Sequence, residues 1–175
     1  SMDATSEREA TGVMNNATVE RTSERDLVVT RAVNAPPRIV FEAWTRADLF
    51  ERWWVPKSFP ITLLSCELDV RAGGGYRLVF GYEGSTMDFF GGYLEVEPEA
   101  RLVWTNEEDA AAPVTTVTFE ETGGSTRVVV SERYPSKEAL DEAVATGSSG
   151  MTAMPESLGQ LDELLDTLDA TSGQP

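Results

Sequence analysis

From Met151 to Leu168 the chain sets Met151, Met154, Leu158, Leu161, Leu164, Leu165 and Leu168 three and four residues apart, the spacing of one helical face. Asp162, Glu163, Asp166 and Asp169 fall on the other faces. The segment therefore predicts a one-sided helix of roughly 19 residues, about 28 Å long. A stripe of that length has to be covered by another layer. The available cover is a series of short strands predicted at 61–70, 75–82, 86–97, 101–107, 113–121 and 125–133. They are separated by Gly-Gly, Glu-Gly, Pro-Glu-Ala, Asp-Ala-Ala-Ala-Pro and Gly-Gly-Ser breaks. Turn signals this closely spaced favour an antiparallel meander over a parallel sheet. Alternation offers Tyr76, Leu78 and Phe80, then Leu102 and Trp104, then Val117 and Phe119 as the face toward the helix. The expected class is α+β, with a curved antiparallel sheet of about six to seven strands around the C-terminal helix.

The start of this domain is read from Asp26–Val33, an apolar-rich run that predicts the first strand. Pro36-Pro37 then suits a first helical turn, and Ile39, Val40, Ala43 and Trp44 form one apolar stripe with Phe41 at its margin. A second short helix is expected over 46–54, closed by Pro56. Residues 1–24 are polar without a sustained apolar period, so a mobile tail is expected there. The domain should occupy 25–169, with 170–175 frayed. Ser1-Met2 reads as a cloning remnant.

Charge narrows the partners. Lys and Arg total 14 against 30 Asp and Glu, a net charge of -16, which repels nucleic-acid backbones and anionic lipid surfaces. Neither nucleic acid nor membrane insertion is expected. No leader-like apolar stretch opens the chain, and a cytoplasmic location follows by default. Oligomeric state is left open between monomer and dimer. The chain has one cysteine, Cys66, and no histidine. That combination excludes an internal disulfide, His-activated nucleophiles, and zinc or haem sites built on His or paired Cys. No metal or cofactor is expected. Gly73-Gly74-Gly75 lacks the Lys and Ser/Thr of a phosphate loop and reads as a hairpin turn. Asp69 and Arg71 read as a turn-fixing ion pair, Arg77 and Glu95 as a cross-strand pair, and Glu107-Glu108-Asp109 as a solvated turn.

Several segments together resemble one known family. These are Arg31-Ala32-Val33-Asn34-Ala35-Pro36, Phe41-Glu42-Ala43-Trp44-Thr45, Arg52-Trp53-Trp54 with Pro56-Lys57, Asp69-Val70-Arg71-Ala72-Gly73-Gly74, Gly92-Tyr93-Leu94-Glu95-Val96 and Leu102-Val103-Trp104-Thr105. In this order, over about 26–168, they resemble the homologues of the activator of the 90-kDa heat-shock protein ATPase, within the START-like (SRPBCC) superfamily. The resemblance implies a helix-grip fold with a deep cavity between sheet and C-terminal helix. It lends no catalytic residue. Where the family commonly opens that helix Gly-Met-x-x-Gly-Trp, this chain has Gly150-Met151-Thr152-Ala153-Met154-Pro155.

The expected cavity residues are Trp53, Trp54, Tyr76, Leu78, Phe80, Tyr93, Trp104, Phe119, Met151, Met154 and Leu158. The leading functional expectation is binding of a small hydrophobic or amphipathic molecule. A chaperone-interacting, ATPase-activating module is the alternative implied by the resemblance. A cyclase- or hydrolase-like enzyme is the third reading, with Glu95, Asp88, Tyr76, Tyr82 and Tyr93 as acid–base candidates.

Overall fold

Three two-residue hairpins set the sheet. Gly123 and Gly124 have φ of 60° and 89° between the paired residues Thr122 and Ser125, the geometry that matches the twist of the flanking strands. Glu83-Gly84 and Asn15-Asn16 turn in the same left-handed region. The computed structural model describes residues 12–172. The strands are β1 (Gly12–Met14), β2 (Ala17–Arg21), β3 (Asp26–Val33), β4 (Thr62–Leu68), β5 (Gly75–Tyr82), β6 (Ser85–Glu97), β7 (Arg101–Thr105), β8 (Val114–Thr122) and β9 (Ser125–Arg133). The helices are α1 (Pro37–Thr45), α2 (Ala47–Phe50), α3 (Lys137–Thr146) and α4 (Gly150–Ser172). All described strands join one antiparallel sheet in the order β1-β2-β3-β9-β8-β7-β6-β5-β4.

The sheet bends in β6. A Cβ on Gly91 would lie 1.8 Å from the Thr105 carbonyl oxygen, so only glycine permits that backbone approach. Two residues on, the register with β7 slips between Tyr93 and Glu95, the local irregularity by which a strand turns a corner. The curved face covers α4, whose Leu158, Leu161 and Leu165 are buried together with Trp44, Trp53, Leu102 and Val117. One rung of the inner face runs through Val29, Val130, Val117 and Leu102 across four strands and is almost wholly buried. Arg31 and Asp162 pin α4 to β3 at 2.9 Å, and the Asn34 amide donates to the same carboxylate at 2.9 Å.

Four expectations are corrected. The sheet has nine strands among the described residues, against about six to seven. Part of the difference lies in 12–21, expected as tail, where β1 and β2 extend the sheet beyond β3. Ala17 and Val19 are fully buried because β2 packs against α4, a gain too short in sequence to show as a period. The expected helix over 46–54 is helical only at Ala47–Phe50 and then turns. α4 is helical to Ser172, past the expected domain end at 169. A further helix, α3, occupies a stretch left unassigned; Ser136 caps it through its hydroxyl, and Gly147 ends it at φ 72°. Expectations for 1–11 and 173–175 lie outside the described residues.

Candidate functional site

The long inner stripe of α4 is not covered along its whole length. Near its first turns the sheet curves away, and α3 and the loop between β7 and β8 stand opposite, leaving a cleft of about 980 Å³. Aromatic packing explains why its wall holds its shape. Trp44 of α1 touches Trp53 edge-on with centroids 4.8 Å apart, and lies 5.9 Å from Trp54 and 6.0 Å from Trp104. Trp54 stacks on Phe50 at 4.6 Å. Such pairs resist rearrangement because each ring is fixed by several others.

Polar groups of α4 fix the tryptophan segment. After α2 ends, the carbonyls of residues 53–55 have no helical partner. Gln160 donates its amide to the Trp53 and Val55 carbonyls, both at 2.9 Å, and Ser157 donates its hydroxyl to the Trp54 carbonyl at 2.6 Å. The Trp53 indole donates to the Ala43 carbonyl at 2.9 Å. These links orient Trp54 toward the cleft and Trp53 into the core. Gln160 and Ser157 lie beside the apolar stripe, and sequence patterning alone gave them no role.

On the sheet side, the Tyr76 hydroxyl lies 2.9 Å from the Thr105 carbonyl and 2.8 Å from the Asn106 side-chain oxygen. The Asn106 amide donates onward to the Pro113 carbonyl at 2.7 Å. Burial holds the phenols of Tyr76, Tyr93 and Tyr134 well above their ordinary value, so each stays protonated, and those of Tyr76 and Tyr134 serve as neutral donors. Glu108, in the same loop as Asn106, also has a raised carboxyl. Burial is the main cause, the backbone amides of Glu108 and Phe90 oppose it, and the charges of Asp109 and Glu107 add to it.

Three buried side-chain polar atoms among the described residues have no partner: Trp44 Nε1, Glu108 Oε2 and Ser149 Oγ. All three residues line the cleft. Buried polar groups are ordinarily satisfied, so orphans confined to one cavity mark where hydrogen bonds remain to be made.

Of the residues expected at the cavity, Trp54, Tyr76, Leu78, Phe80, Tyr93, Trp104 and Met154 stand on the cleft wall. Trp53, Phe119 and Leu158 do not; they are core residues. Phe119 packs edge-on against Phe41 at 5.6 Å, because its rung lies over α1. The Met151 side chain lies outside the described ones. The acid–base candidates separate: Asp88, Tyr76 and Tyr93 line the cleft, whereas Tyr82 is exposed and Glu95 pairs with Arg101 at 3.3 Å. The expected Arg77–Glu95 pair is replaced by Arg77–Asp88, since register sets Asp88 opposite Val79, diagonal to Arg77 on the neighbouring strand. Asp69 and Arg71 do pair, at 3.1 Å. Glu107-Glu108-Asp109, expected as a solvated turn, instead brings Glu108 and Asp109 to the cleft. Cys66 is partly buried, its thiol pushed up to about 11 by burial and the charge of Glu51, which disfavours a thiolate nucleophile. Asn106 and Ser149 are wall residues to which the sequence reading gave no role, while Trp44 and Glu108 were read there as helical stripe and solvated turn. Among the described residues, no three metal-ligating side chains converge, and no helix is long and apolar enough to cross a membrane.

Solved structures share this architecture. A crystal structure of a Nitrosomonas europaea protein is 25% identical, covering 86% of this chain and 99% of that one with a TM-score of 0.76. A Rhodobacter sphaeroides protein is 26% identical, covering 87% and 99%, also at 0.76. An AHSA1-like protein from Aeromonas hydrophila, 17% identical over 81% and 93%, shares the fold at 0.59. No functionally curated protein matches the chain. The model of the Activator of Hsp90 ATPase homolog 1-like family matches residues 34–166, an interval that runs from the approach to α1 into α4, and the chain belongs to that family.

Proposed function

We propose that this protein binds a small apolar or amphipathic molecule in the cleft between the sheet, α3 and the first turns of α4. The observation that carries the reading is the confinement of the orphaned buried polar atoms, Trp44 Nε1, Glu108 Oε2 and Ser149 Oγ, to the wall of one cleft. Aromatic faces supply the apolar contact, and a few fixed polar groups supply orientation, the usual composition of a small-molecule site. A ligand burying ~300 Å² of apolar surface at ~25 cal/mol per Å² gains ~7 kcal/mol before association costs. Micromolar affinity is therefore the scale expected for a loosely matched occupant. Acid–base catalysis has less support, because Glu95 is paired with Arg101, Tyr82 is exposed, and Asp88, the candidate carboxylate on the cleft, is ion-paired with Arg77. Activation of a chaperone ATPase is the alternative suggested by the family's description.

The test is native mass spectrometry of the purified chain beside the same sample denatured. An added mass lost on denaturation supports the reading. The bare chain mass, together with failure of the neutral dye N-phenylnaphthylamine to bind, overturns it. Stimulation of a chaperone's ATPase by the same sample would then favour the family-based alternative.

A further inference from the structure

The cleft has an electrostatic asymmetry that its apolar wall does not require. Asp88, Glu108, Asp109, Glu132 and Glu142 line it, and among the described residues no lysine or arginine does. Two guanidiniums border it: that of Arg77 is ion-paired with Asp88, and that of Arg25 donates to the Tyr134 carbonyl at 2.8 Å. An anionic headgroup entering this space would lose water and find no countercharge, which is costly in a site of reduced dielectric. A neutral occupant without an O–H or N–H would leave the buried Glu108 oxygen unpaired, and a neutral donor would leave its charge uncompensated. An ammonium group would satisfy it.

We infer that the cleft selects amphipathic organic amines, molecules with an apolar body and a protonated nitrogen, over carboxylates, sulfonates and phosphates of the same size. The inference rests on the ligand-binding reading above and assigns its ligand class. Two further features fit an organic cation. The carboxylates are spread around the cleft and do not converge on a metal-sized point, so they set a field for a larger ion. Trp44, Trp54 and Trp104 line the same cleft and offer the apolar body of such a molecule aromatic contact. The ammonium is placed at Glu108 Oε2, with the apolar body against those rings. The donors of Trp44 and Ser149 remain for an oxygen acceptor on the same molecule.

The experiment uses the full chain with N-phenylnaphthylamine as reporter, displaced by octylamine, octanol and octanoate, which share one tail and differ in head. At neutral pH and low salt, octylamine should displace the dye at a concentration about tenfold lower than octanoate, with octanol between, and added salt should narrow the gap. Glu108→Gln, close to isosteric, should weaken octylamine several-fold more than octanol. Octanoate competing as well as octylamine, or equal losses for octylamine and octanol in Glu108→Gln, would overturn the inference while leaving ligand binding in place. Absence of dye binding, with no octylamine adduct in native mass spectra, would overturn both.

Discussion

Two neighbouring rungs on the inner face of the sheet have opposite characters. The first, Val29–Val130–Val117–Leu102, carries only aliphatic side chains, all nearly inaccessible. Two residues along each strand lies Leu27–Glu132–Thr115–Trp104, continued by Tyr93 on β6, and most of that rung opens on the cleft. The same strands and the same pleat thus make a dry core and a polar, aromatic wall one step apart. The contrast shows that sheet geometry places side chains on the inner face, while their chemistry decides whether α4 closes over them or stands off.

If the first rung is core and the second is wall, equal truncations should have unequal costs. Leu102→Ala removes a fully buried side chain and should cost about 2–5 kcal/mol in chemical denaturation. Met154→Ala, at the cleft, should cost about 1 kcal/mol, because its neighbours already border open space. Equal costs would mean that the cleft is closed in solution and packed like the core.

The anchoring of α4 gives the next contrast. Asp162 holds both Arg31 and the Asn34 amide, so Asp162→Ala should cost about 1–3 kcal/mol by leaving a largely buried guanidinium unpaired. Hydrogen exchange should then accelerate in β2 and the middle of α4 before it does so around the cleft. At the cleft end, Ala153→Phe fills space instead of removing a contact. Its stability should stay within about 1 kcal/mol of the parent while N-phenylnaphthylamine binding is lost. Unchanged dye affinity would place the bound dye elsewhere.

These two regions also differ in how well the sequence announced them. The stripe of Leu158, Leu161 and Leu165 and the alternation through Val117 and Phe119 were legible because periodicity records burial on one face. β1 and β2 were not, since Ala17 and Val19 are too few to make a period and their burial depends on α4, far along the chain. The cleft was legible as aromatic wall at Trp54, Tyr76 and Trp104. Its polar side was hidden, because nothing in Asn106-Glu107-Glu108 reveals that the loop folds inward beside Tyr76. Trp53 and Trp54 are adjacent and chemically alike, yet a hydrogen bond from the Trp53 indole to the Ala43 carbonyl and those from Ser157 and Gln160 to the backbone send one to the core and the other to the cleft. Such long-range contacts leave no local pattern.

The smallest expected effect concerns Glu108 and has a sign fixed by its surroundings. Burial raises its folded-state carboxyl above the ordinary value, with Asp109 and Glu107 adding charge, the Tyr76 phenol nearby, and the amides of Glu108 and Phe90 only partly compensating. The folded chain therefore holds this proton more tightly than the unfolded chain does. Its contribution to stability falls as pH rises from the ordinary carboxylate range through the raised value, and the cost persists above that window. Glu108→Gln removes the titration. The variant should melt slightly above the parent at about pH 8, with the difference shrinking toward zero below about pH 4, where ordinary carboxyls are protonated. An octylamine-saturated parent should lose that deficit, since a bound ammonium compensates the ionised carboxylate. A parent that melts above Glu108→Gln at high pH without ligand would mean the carboxylate is already satisfied within the fold, and the second rung would then be as self-sufficient as the first.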